Sequence, residues 1–134
     1  MSTENAPPAH LNGLDPNTMT VEDVVRYAAH VLWERQARDI KILYAEKLVG
    51  YTDYLLIASA RNERHVQALG NTLERRMREI DLRFLSREGS RNQRWGVMDY
   101  ADFVVHLFEV EERGIYDLEG LWHEAETLEL NFDT

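Results

Sequence analysis

The chain has 134 residues, 44% of them apolar, no cysteine, and a formal net charge of −9. That length suits one domain with a real core, and the missing cysteines exclude disulfide staples, thiol catalysis and sulfur-ligated zinc. The acidic balance disfavours binding driven by counterion release from a phosphate backbone and favours a basic protein partner.

The charge is uneven along the chain. Residues 61–94 hold nine of the fifteen Lys/Arg and five acids, whereas residues 109–134 hold nine acids and only Arg113. No apolar stretch approaches the ~18 residues of a membrane span. The opening MSTENAPPAH lacks the basic and apolar regions of a signal peptide. A cytoplasmic location is expected.

Residues 1–18 contain all three prolines and little apolar content, and read as a flexible arm. Thr20 is an expected N-cap, with Asp23 completing a capping box. Val21, Val24, Val25, Ala28 and Leu32 then follow at helical spacing, which predicts an amphipathic helix over 20–36. IKILYA (40–45) and YLLIAS (54–59) are short apolar runs of strand length. From Asn62 the period changes: Val66, Leu69, Leu73, Met77 and Ile80 make one stripe of a second helix, with Arg64, Arg75, Arg76 and Arg78 on its other faces. RFLSREGS (83–90) predicts a strand ending at Gly89. WGVMDY (95–100) and DFVVHLFE (102–109) predict two more, apolar on both faces as central strands are. After Gly114, Ile115, Leu118, Leu121, Trp122, Ala125 and Leu128 predict a last helix. The order implies a mixed sheet with helices packed on it, in one layered α/β domain over 19–128, with a tail at 129–134.

The run RWGVMDYADFVVHLFE places Asp99, Asp102 and His106 among apolar residues. Gly89-Ser90 followed by two strand carboxylates has the look of a nucleotidyltransferase metal site. The spacing opposes it: side chains alternate along a strand, so Asp99 and Asp102 fall on opposite faces, about 10 Å apart, unless Ala101 turns or bulges. A paired-carboxylate site wants positions i and i+2. A ligand pair from Asp102 and His106 is conceivable for zinc, but a single histidine in an apolar strand is normally a hydrogen-bonded core residue. No HExxH, P-loop, GxSxG or GxGxxG occurs. Trp95, Trp122, Tyr100 and Tyr116 cluster near the last strands and helix, where such residues serve equally as binding anchors or as core.

Taken together, TDYLLIASARNERHVQALGNTLE, SREGS and WGVMDYADFVVHLFEVEERGIYDLEGLWHEA strongly resemble the ribosomal silencing factor, or Iojap-like, family over about residues 20–126. The matching residues are Asp53 to Ser59, Arg64-His65-Val66, Glu88-Gly89, Trp95, Asp99 to His106, and Tyr116 to Trp122. The family usually has glycine between the two acids; Ala101 stands there in this chain and puts a strongly left-handed turn residue in doubt. The resemblance implies a fold similar to that of nucleotidyltransferases, no catalysis and no cofactor or metal. It implies binding to the large ribosomal subunit, mainly at its protein L-fourteen, blocking association with the small subunit and so repressing translation when nutrients are scarce. Homodimers and a minor contact with ribosomal RNA are also implied; a membrane and a small-molecule substrate are not. On this reading Trp95 is a partner-contacting anchor, and Asp99, Tyr100 and Asp102 supply polar contacts at the same edge. Tyr116, Glu119 and Trp122 are contacts or struts, Leu118 and Leu121 are core, His106 is structural, and Asp53 caps a turn. Two other readings stand beside it. One is a nucleotidyltransferase-like relic binding nucleotide and magnesium. The other is an RNA-binding module using Arg75, Arg76, Arg87, Arg91 and Arg94.

Overall fold

Side chains start the two helices and backbone geometry ends them. The computed structural model describes residues 19–44, 53–89, 94–111 and 126–130. Helix α1 spans Val21–Glu34, and Thr20 caps it as predicted. The Thr20 hydroxyl accepts from the Asp23 backbone N–H at 3.1 Å, and the Asp23 carboxylate accepts from the Thr20 N–H at 3.1 Å. Helix α2 spans Glu63–Glu79, with the Asn62 side chain accepting from the His65 N–H at 2.8 Å. The two helices terminate alike. Gln36 and Asp81 adopt left-handed backbone, at φ 70° and 63°. The N–H of Ala37 returns to the Leu32 carbonyl at 3.0 Å, and that of Leu82 to the Met77 carbonyl at 2.9 Å. These are Schellman closures, made here without glycine.

His65 joins the helix ends. Its Nδ1 accepts from the Arg61 N–H at 2.9 Å, so the ring proton sits on Nε2, which donates to the Arg35 carbonyl at 2.9 Å. One buried imidazole thus satisfies a backbone donor before α2 and a carbonyl orphaned at the end of α1.

Six strands form one mixed sheet: β1 (Arg38–Tyr44), β2 (Tyr54–Ala60), β3 (Ser86–Gly89), β4 (Trp95–Asp99), β5 (Phe103–Glu109) and β6 (Glu126–Leu128), in the order β3-β4-β5-β2-β1-β6. Only β2 and β5 run parallel, Tyr54 opposite Phe103 through Ala60 opposite Glu109. They sit at the centre, and all seven residues of β5 are buried. Strand β4 is next to the edge strand β3 and buries only Met98, which corrects its reading as a strand covered on both faces. The predicted last helix is corrected at its end: Leu128 belongs to β6, antiparallel to β1, and packs on the core from there. Ile115, Leu118, Leu121, Trp122 and Ala125 lie outside the described residues. Strand β3 begins at Ser86, later than the run from Arg83 suggested.

Both described helices lie on one face of the sheet. Val25, Ala28 and Leu32 from α1 and Val66, Leu69, Leu73 and Met77 from α2 pack on Ile42, Leu56, Ala58, Met98, Val105 and Leu107. Fully burying each of the Val, Leu, Ile and Met side chains among them contributes about 1.5–3 kcal/mol. The other face carries a second cluster of Leu43, Leu55, Ile57, Val104 and Phe108, with Trp95 and Val97 packed against it.

Strands β4 and β5 meet in a two-residue turn. The Tyr100 N–H donates to the Phe103 carbonyl at 2.9 Å and the Asp102 N–H to the Tyr100 carbonyl at 2.9 Å. Ala101 takes φ 73°, the left-handed conformation that its lack of glycine made doubtful. The Asp99 carboxylate holds it there by accepting from the Ala101 N–H at 2.8 Å. A non-glycine residue in this region costs on the order of 1–3 kcal/mol. Ala101→Gly relieves that strain but adds freedom to the unfolded chain, so a net gain of about 1 kcal/mol is expected, or roughly 4 °C in melting temperature. Thermal denaturation followed by circular dichroism checks it; an unchanged or lower midpoint means the turn is not strained.

Candidate partner-binding surface

The sheet face opposite the two helices carries an aromatic plate flanked by acids. Strand alternation puts Trp95, Val97 and Asp99 of β4 on this face, with Ser86 and Glu88 of β3 on one side and Val104, His106 and Phe108 of β5 on the other. Trp95 sits opposite Phe108 and stacks on it, with centroids 5.4 Å apart and planes 11° from parallel. It also stacks on His106, at 6.0 Å and 18°. The indole N–H donates to His106 Nδ1 at 3.2 Å, which places the histidine proton on Nε2. Trp95 is only half-buried, so its orientation is fixed by a stack and a hydrogen bond and part of its ring remains accessible.

His106 is 8% exposed, and burial pushes its pKa from 6.5 down to about 4. It is neutral at physiological pH, in keeping with the structural role expected of it. Among the described residues, no group accepts from its Nε2–H. Glu88 is exposed and Asp99 half-buried on the same face. Arg94, just before β4, lies 3.7 Å from Glu63 and 3.8 Å from Glu109. The two exposed large apolar residues among those described, Leu85 and Val110, flank β4: the Leu85 N–H bonds the Asp99 carbonyl, and Val110 follows Glu109, whose N–H bonds the Arg94 carbonyl.

The structure separates the predicted contact residues. Trp95 and Asp99 share the plate. Tyr100 does not: it is 7% exposed on the helix-bearing side, stacked on Phe103 at 4.9 Å and edge-on to Phe84 at 6.4 Å. Burial raises its hydroxyl to a pKa of about 12. Tyr100 is therefore core, because strand alternation carries it with Met98 onto the helix-bearing side and away from the plate. Asp102 is exposed and lines a shallow depression with Met19, Thr20, Val24 and Phe103 on the helix-bearing side. Its carbonyl accepts from the N–H groups of Asp53 at 3.0 Å and Tyr54 at 3.3 Å, tying the turn to the start of β2. Asp53 thus joins this turn through its backbone. Tyr116, Glu119 and Trp122 lie outside the described residues.

The two carboxylates serve one turn but face different sides, so the arrangement does not build a two-acid metal site. Among the described residues no group of three His, Cys, Asp or Glu side chains is placed to hold a metal ion. Nor is any helix among them long and apolar enough to cross a membrane. Sequence reasoning missed the Trp95–His106 hydrogen bond and the place of Glu88 on the same face. The signal was available in the alternation: residues 104, 106 and 108 share a face, and pairing β4 against β5 brings 95 and 97 onto it.

Comparison with known proteins places this arrangement. The family model described as "Ribosomal silencing factor during starvation" matches residues 18–134. A ribosomal silencing factor of Bacillus subtilis is 32% identical over 114 residues, covering 85% of this chain and 97% of that protein. The chloroplast protein Iojap of Zea mays is 32% identical over 104 residues, covering 75% of this chain and 44% of that longer protein. A crystal structure of a Chromobacterium violaceum protein superposes with a TM-score of 0.75 at 26% identity, covering 87% of this chain and 94% of that one.

The buried histidine makes stability depend on pH. The unfolded chain binds a proton near pH 6.5, whereas folded His106 resists it until about pH 4. Stability from this group is therefore complete above pH 6.5 and is lost as pH falls toward 4. The gap corresponds to at most about 3 kcal/mol. In denaturant titrations between these pH values, His106→Asn is expected to show a flatter profile than the parent chain. Parallel profiles would show that His106 does not carry the dependence.

Proposed function

The chain belongs to the ribosomal silencing factor family, and on that premise we propose that it docks on the large ribosomal subunit through protein L-fourteen and blocks joining of the small subunit. The observation that carries this reading is the acid-flanked aromatic plate of β4 and β5. Trp is a favoured anchor because it brings a large rigid area to an interface. Trp95 is pre-oriented by His106 and Phe108, so little side-chain freedom remains to be lost on docking. Asp99 and Glu88 beside it, on a chain with net charge −9, complement a basic protein and steer its approach. Asp102, on the helix-bearing side of the turn, is not part of this plate.

Such an activity requires occupancy alone. A folded domain seated on the face where two subunits close excludes the second by volume, and the degree of repression follows the fraction of large subunits occupied. Control by nutrient supply then acts on the amount or affinity of the factor in the cytoplasm, with no chemical step. Dimers of the free protein, if they use the same plate, would have to part before docking.

Sucrose gradients of purified large subunits, small subunits and the protein test the reading. Co-migration with large subunits and depletion of the joined peak are the expected result. Trp95→Ala is expected to weaken large-subunit binding by about 2 kcal/mol, roughly thirtyfold. Because that change also strips His106 of its donor, circular dichroism must show a folded chain at the assay temperature. Glu88→Lys, at an exposed position, is expected to weaken binding without touching the core. A folded Trp95→Ala protein that binds like the parent would remove the plate from the interface.

A further inference from the structure

The outer face of α2, on the far side of the sheet from the plate, carries guanidinium groups with no partner among the described residues. Each acid of the helix is engaged. Glu63 lies 3.7 Å from Arg94, Glu79 lies 3.5 Å from Arg76, and Glu74 is gripped by Arg78 at 2.6 Å and Arg87 at 2.9 Å. Arg87 reaches Glu74 by lying over Gly70, where a Cβ would come within 2.6 Å of its guanidinium. Arg76 is further held by the Tyr27 hydroxyl, accepting at 3.1 Å, and by Glu34 at 3.7 Å. Arg64, Arg75 and Arg83 are exposed and, among the described residues, have neither an ion pair nor a hydrogen bond. Arg83 follows the helix and lines a small depression with Glu74 and Arg78.

The arrangement is ordered. Arg64, Gln67, Asn71, Arg75 and Arg78 recur at helical spacing on one exposed stripe. Arg64 and Arg75 are separated by about 16 Å along the axis. Arg75 and Arg78 are like charges three residues apart, which destabilises a helix by roughly 0.2–0.5 kcal/mol. Among the described residues no acid pairs with Arg64, Arg75 or Arg83, although the chain carries nine surplus negative charges.

We propose that this stripe, Arg64 and Arg75 with Arg83 beside it, binds the phosphate backbone of RNA. The guanidinium fork matches a phosphate in two parallel hydrogen bonds. Gln67 and Asn71 add neutral donors of the kind that contact phosphate and sugar. A protein partner fits less well. Arginine serves protein interfaces too, but their hot spots centre on well-packed, desolvated pockets with Trp and Tyr beside it, and α2 carries no Trp, Tyr or Phe. The inference rests on the ribosomal reading only for the source of the RNA. It also revises the arginines expected from sequence: Arg76, Arg87 and Arg94 are engaged within the protein, Arg91 lies outside the described residues, and Arg75 remains.

Fluorescence anisotropy with a labelled RNA hairpin and the full chain tests this without ribosomes. Binding is expected to weaken steeply between about 50 and 200 mM salt, with a log–log slope near −2.5 for three phosphate contacts. The triple variant Arg64→Gln, Arg75→Gln, Arg83→Gln is expected to lose at least tenfold in affinity and nearly all of that slope. The charge-matched variant Arg26→Gln, Arg38→Gln, Lys41→Gln should bind RNA as the parent does. The proposal is overturned if the parent chain shows no salt-dependent binding, if the triple variant matches it, or if the charge-matched variant loses as much. Failure of docking in the gradients would leave this measurement intact, and failure here would leave docking through Trp95 intact.

Discussion

Strand β5 has no exposed residue, and His106 sits at its middle. Burying a polar ring without partners costs several times what a made hydrogen bond returns. The neighbouring strand therefore presents a donor from the position diagonal to it, since Val97 stands directly opposite. It does so with Trp95, whose indole N–H reaches His106 Nδ1 while its ring covers Phe108. A requirement of the core thus determines where a large aromatic residue emerges on the sheet. The proposed anchor for a partner and the lid over a buried histidine are the same side chain. The proposed binding surface therefore has the rigidity of the core beneath it.

The sheet separates two kinds of charge. On the plate side, carboxylates surround aromatic and branched side chains. On the helix side, the outer stripe of α2 offers arginines whose local acids are engaged elsewhere. The net charge of −9 describes neither face. Screening in physiological salt confines each exposed charge to roughly 8 Å, so a partner feels the face it approaches and not the average. A ribosomal surface presents basic protein and anionic RNA close together, and a body with one face suited to each can be held at a single orientation. Two modest contacts at fixed separation also act at high effective concentration once the first has formed.

Much of the fold was legible where one periodicity and one local signal agreed. The Thr20–Asp23 box and the stripe Val66, Leu69, Leu73, Met77 predicted both helices, because capping and burial act within a few residues. The misreadings share a cause: each depended on backbone geometry or on a distant neighbour. Gln36 and Asp81 close the helices in a conformation that glycine normally marks. Leu128 satisfies a helical stripe as readily as a strand, and only β1 decides between them. Tyr100 is the exception, since the alternation of β4 alone sends its ring with Met98 to the side opposite Trp95. Ser90 and Arg91, and with them part of the glycine-serine echo, lie outside the described residues.

The acid pair shows how a constellation can keep the look of chemistry while serving architecture. Asp99 and Asp102 are conspicuous because carboxylates beside apolar strands invite a metal. Asp99 instead accepts from the Ala101 N–H and holds that residue in the left-handed conformation on which a two-residue turn depends. The turn delivers the Asp102 carbonyl to the N–H groups of Asp53 and Tyr54 at the start of β2. In this way the hairpin of β4 and β5 is registered against the parallel strand beside it, with Trp95 opposite Phe108 and Val97 opposite His106. A metal site would need the two carboxylates to converge, which requires giving up the alternation that sends Trp95 and Tyr100 to opposite sides of the sheet. Both outcomes cannot share one turn. The geometry that seats the aromatic plate is the geometry that keeps the acids apart.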